Sequence, residues 1–80
     1  MKEVKVTWLD TYMEFESMSY EDVMKVKPSV QVSWGLLLGE TEEYIVLAFT
    51  TETSDEEGFY RGIAYIPKGA IRSIEEVRYE

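Results

Sequence analysis

The segment Val30 to Phe49, VQVSWGLLLGETEEYIVLAF, constrains the fold of this chain more than any other. Val30, Val32, Trp34, Leu36 and Leu38 fall on alternate positions, Gly39 to Glu43 form a polar break, and a second apolar run follows from Tyr44 to Phe49. Period-two apolar residues on either side of a glycine-containing turn predict a β-hairpin. Leu36 to Leu38 and Ile45 to Ala48 are apolar on both parities. That pattern suits strands covered on both faces, or strands buried between subunits.

The flanking sequence supplies the partners for this hairpin. Val4, Val6 and Trp8 alternate with Lys5, Thr7 and Leu9, which predicts a first strand with one apolar face and places Trp8 in the core. Tyr12 to Glu16 alternates again, as a continuation of that strand or a short second one. Ser19-Tyr20-Glu21-Asp22 matches a capping box, and Pro28 forces Lys27 out of the helical region. The expected helix is therefore about two turns, Tyr20 to Val26, with Tyr20, Val23, Met24 and Val26 turned inward. Thr50 to Gly58 reads as a solvated acidic loop, Phe59 to Ile66 as a strand and Ile71 to Val77 as the last strand. Gly62 and Ala64 share a parity and are small, which predicts close packing, a strong bend or a close backbone approach there.

Composition narrows the function. Eighty residues make one domain, 1–80, and a chain this short buries only about 60% of its extended surface. With no cysteine and no histidine there are no disulfides, no Cys/His metal sites and no Ser/His or Cys/His catalytic pair. The net charge of −8, from 16 acidic and 8 basic residues, opposes bulk phosphate binding and so argues against nucleic acid as a partner. No apolar run approaches the ~20 residues of a membrane span, and Met1 to Lys5 lacks the hydrophobic region of a signal peptide. The expected location is the cytoplasm.

About five strands on 80 residues are too few for two well-covered sheets. The expected architecture is mainly β: a small, strongly bent, five-stranded barrel with one short helix, closing on itself to protect its edges. The segment Ile66 to Ile71, IPKGAI, leaves no room for a hairpin and predicts a single 3₁₀ turn before the last strand. In this it resembles the SH3-like and Sm-like barrels, and loosely the matching segment of the bacterial Sm-like RNA chaperone, without the histidine of that family. The order Val4, Val6, Trp8, Asp10, then Gly35 and Leu37, then Tyr44, Val46 and Ala48, then Ile66 to Ile71 with Ile74, is similar to short uncharacterised proteins of bacteriophages and integrated mobile elements. The resemblance implies a phage setting, host cytoplasm and accessory binding roles rather than metabolism.

No Walker loop, dinucleotide fingerprint or nucleophile elbow occurs, and no cofactor is implied. Glu40, Glu42 and Glu43, and Glu52, Asp55, Glu56 and Glu57, lack calcium-loop spacing and read as solvated turns. The eleven aromatics either fill a thin barrel core or present a binding surface, and for Trp34 and Tyr60 both readings stand. Between Gly58 and Ile74 lie Arg61, Lys68 and Arg72 and no acid. With Tyr60, Tyr65 or Trp34 they form a candidate site for an anion, a nucleotide or an acidic partner; alternatively they neutralise acidic loops. The expected function is a non-catalytic, self-associating binding or assembly module. Capture of a small anionic ligand ranks second and Sm-like RNA binding third.

Overall fold

The computed structural model describes residues 2–52 and 58–78. Five antiparallel strands form one sheet: β1 (Glu3–Leu9), β2 (Val30–Glu40), β3 (Tyr44–Glu52), β4 (Phe59–Pro67) and β5 (Ile71–Glu76). A helix, α1 (Tyr20–Lys25), interrupts the β1–β2 connection, and a 3₁₀ turn, Lys68–Ala70, joins β4 to β5. The strand order is β4-β3-β2-β1-β5. Among the described residues the ladder is open, with no pairing between β4 and β5. Among the described residues no helix is long and apolar enough to cross a membrane.

The sheet nevertheless rolls, and chain connectivity forces it to. Glu3, Leu36, Ala48 and Ile63 stand in one row across four strands. Pro67 pairs with Tyr44, four residues below that row, and Ile71 pairs with Trp8, five residues above it. In a flat sheet those two ends would be about 35 Å apart, from ~4.8 Å between strands and ~3.3 Å per residue. The four peptide units from Pro67 to Ile71 reach at most ~15 Å. Only a curled sheet lets them meet. Lys68 N–H donates to the Glu43 carbonyl at 2.8 Å, which pins the turn to the β2–β3 connection.

Much of the curl is concentrated in β2. Its first part, Val30 to Leu36, pairs with β1, and its last part, Leu36 to Glu40, pairs with β3. Gly35 stands at the changeover, where a Cβ would lie 2.7 Å from the Ala48 carbonyl oxygen. Gly62 has φ +67° and receives the Phe49 ring, which would lie 3.2 Å from a Cβ there. Of the outcomes expected at Gly62 and Ala64, the close packing is present at Gly62, and Gly35 supplies a close backbone approach. The hairpin turn is locked by Thr41, whose Oγ1 accepts from the N–H groups of Glu43 and Tyr44, both at 3.1 Å.

The interior is aliphatic. Val4, Val6, Ile45, Leu47 and Ile66 are buried, with Trp8, Leu37, Ala64 and Ile71 packed against them. All five strands contribute, and Ile66 and Ile71 come from opposite sheet edges. Trp8 meets its expectation in part: it packs on the core while its Nε1 donates to Ser33 Oγ at 3.1 Å. Eight other aromatics do not fill the core as a thin barrel would ask. Tyr12, Phe15, Tyr20, Trp34, Tyr44, Phe49, Phe59 and Tyr65 are exposed. Branched aliphatics on β1, β3 and β4 already fill the narrow space inside the roll.

Strand and turn boundaries follow the sequence closely. β2 runs on to Glu40 and β3 to Glu52, so each strand reaches into residues expected as loop. The expectation for the middle of the Thr50 to Gly58 loop, including Asp55, Glu56 and Glu57, lies outside the described residues.

Two expectations near α1 are corrected. Tyr12 to Glu16 form no strand, because nothing pairs with them. The helix forms and is capped by Ser19, whose Oγ accepts from Asp22 N–H at 3.2 Å, but it buries no residue. Tyr20, Val23, Met24 and Val26 all face outward. The core has no vacancy on that side, since the sheet fills its own interior.

Candidate functional site

The most exposed apolar residues lie in two places outside the core. The first is the connection between β1 and β2. Asp10 N–H donates to the Ser29 carbonyl at 2.8 Å, and every residue from Thr11 to Pro28 is exposed. This makes the connection an arm, closed at its base and projecting from the sheet. Its apolar content is high: Phe15 is 87% exposed, Tyr20 79%, Met13 68% and Met24 65%. A shallow hollow of ≈ 420 Å³ opens on it, where Tyr12, Met18, Val23 and Val26 are joined by the charged Glu14, Glu16 and Lys27.

Local hydrogen bonds shape the arm. Glu14 Oε1 accepts from the N–H groups of Phe15 and Glu16, each at 3.1 Å, and Tyr12 Oη donates to Glu14 Oε2 at 3.1 Å. The Glu16 N–H, then the Tyr12 hydroxyl, hold the Glu14 carboxyl below the usual carboxylate range. The same contact, with the charge of Glu14, raises the Tyr12 phenol.

The second place is the outward face of β2 to β4. Strand register puts Trp34 and Leu36 of β2, Val46 and Ala48 of β3, and Ile63 and Tyr65 of β4 on the side away from the core. Tyr44 meets Tyr65 edge-on with ring centroids 6.0 Å apart. Lys5 Nζ lies 5.8 Å over the Trp34 ring and 3.9 Å from Glu75. The hairpin that is apolar on both parities thus has one face in the core and the other partly covered, with Trp34 exposed, Leu36 and Val46 half-buried and Ala48 buried.

The six residues read from the sequence as a candidate anion site are spread over the molecule. Arg61 and Tyr65 share the outward face of β4, with Trp34 on the outward face of β2. Tyr60, of the opposite parity, is half-buried. Lys68 stands in the 3₁₀ turn, about 20 Å along β4 from Arg61. It pairs with Glu40 at 2.6 Å, the neutralising role that was the alternative reading of these cations. Arg72 follows on β5, exposed. The structure brings Arg61, Tyr65 and Trp34 onto one side and does not bring Arg61 to Lys68 and Arg72. Among the described residues no three acidic groups are placed to hold a metal ion.

The exposure of the arm was misread from the sequence because a helix with apolar residues normally turns them inward. One sequence signal pointed the other way. Two turns ended by Pro28 are too short to lay a full apolar stripe on a sheet. Compared with known proteins, the chain matches no family model, no curated protein and no solved structure.

Proposed function

We propose that this protein is a non-catalytic assembly module: a small Sm/SH3-like barrel, of the phage or mobile-element kind its sequence resembles, that works by joining copies of itself. The rolled sheet, the bend in β2 and the 3₁₀ link between the edge strands support the barrel reading. The lack of histidine and cysteine supports the non-catalytic one.

Surface area carries the self-association. A folded monomer of 9.3 kDa exposes about 5,000 Å², and this chain exposes 6680 Å². The excess, about 1,700 Å², is roughly twice what one partner contributes to a standard protein interface. Shape agrees: the radius of gyration is 16.5 Å, against about 12 Å for a compact chain of this length. Exposed apolar side chains lie on the arm and on the outward sheet face.

Size-exclusion chromatography with light scattering at micromolar concentration tests this reading. A mass of two or more copies is expected. A single 9.3 kDa species at every concentration overturns it.

A further inference from the structure

The two exposed apolar surfaces complement each other, and we propose that the arm of one copy docks on the outward β2–β4 face of a second copy. This rests on the self-association reading and names its interface. Three observations carry it.

The first is area. The exposed parts of the apolar side chains on the arm amount to roughly 800 Å², the contribution of one partner to a standard interface. The outward sheet face exposes Trp34, Ile63 and Tyr65, with Leu36 and Val46 half-buried between them. Monomeric proteins seldom leave a patch of this size uncovered.

Helix energetics supply the second. α1 has six residues and no buried side chain. An isolated helix shorter than ~12 residues is marginal in water, because nucleation costs more than so few backbone bonds return. Ser19 contributes only about 1 kcal/mol as a cap. A surface to pack against provides what the helix lacks, and its own sheet does not provide one.

Charge is the third. The arm carries Glu14, Glu16, Glu21 and Asp22 against Lys25 and Lys27, an excess of acid. Arg61 stands on the proposed docking face beside Ile63 and Tyr65. Opposite potentials steer the approach and disfavour arm against arm.

The test uses two variants of the full chain. Phe15→Ser/Met24→Ser damages the arm. Ile63→Thr/Tyr65→Thr damages the face and keeps β-propensity. Thermal melts confirm that each is folded, since all four side chains are exposed. By light scattering each variant alone is expected as a monomer at concentrations where wild type associates. Their equimolar mixture regains a two-copy species, because one intact arm meets one intact face. An arm variant that keeps the wild-type mass overturns the docking and leaves self-association standing. A mixture that stays monomeric overturns it as well. A monomeric wild type removes both readings, as would an arm folded over its own sheet.

Discussion

Gly35 shows how much a single missing side chain accomplishes here. Its Cα approaches the Ala48 carbonyl so closely that any Cβ must displace backbone rather than a flexible side chain. Gly39, four residues on, has nothing within 4 Å of the same position. Gly35→Ala is therefore expected to destabilise the fold by about 1–3 kcal/mol. Gly39→Ala changes stability by no more than about 0.5 kcal/mol. Urea unfolding of the two variants checks this, and equal midpoints would remove Gly35 as the cause of the bend. At this scale the sequence was partly legible. Gly62 and Ala64 announced close packing because two small residues share one face of a strand. Gly35 did not, because its constraint is a carbonyl on another strand. Core side chains sort the same way: Val4 and Val6 could be read from alternation, while Trp34 could not, because both faces of β2 are apolar and only register separates them.

The elements differ in what holds them. Each strand is tied by ladders and a shared interior. A core truncation such as Ile45→Ala, where the side chain is fully buried, is expected to cost about 2–5 kcal/mol. The total stability for a chain this long is about 4–12 kcal/mol. The arm has only its local hydrogen bonds. Because the folded arm holds the Glu14 carboxyl below its usual range, its contribution is full above the ordinary carboxylate titration. That contribution fades as pH falls through the depressed value. Amide NMR on acidification is expected to show Phe15 and Glu16 losing their folded shifts while β1 and β3 remain unchanged. Glu14→Gln should abolish that pH dependence. Retention of the shifts in acid would mean that the carboxylate does not shape the arm. The helix in the arm was legible from Ser19 and Pro28, and its boundaries follow those two residues. The direction of its apolar side chains was not, since periodicity says which residues share a face and not what covers that face.

At the scale of the whole molecule, β5 secures the roll. It pairs with β1 along its length, places Ile71 against the core, and brings Val77 N–H to the Glu3 carbonyl at 2.8 Å. A chain stopped after Ala70 loses all three. It is expected to show neither a cooperative melt nor dispersed amide resonances; a cooperative melt in that truncated form would show that four strands suffice. The 3₁₀ link that delivers β5 was legible in IPKGAI, because proline and glycine leave few paths for so short a segment. The strand order was less so: nothing local says that Ile71 to Glu76 pairs with the first strand and not with the fourth.

That pairing also sets a schedule for synthesis. A ribosome releases β1 about sixty residues before β5. During that interval one flank of β1 has its backbone groups unpaired, and on a crowded message the flank faces other nascent chains carrying the same complementary strand. The pace of translation across those residues, as well as the finished fold, governs whether each polypeptide completes its own sheet or borrows a strand from its neighbour.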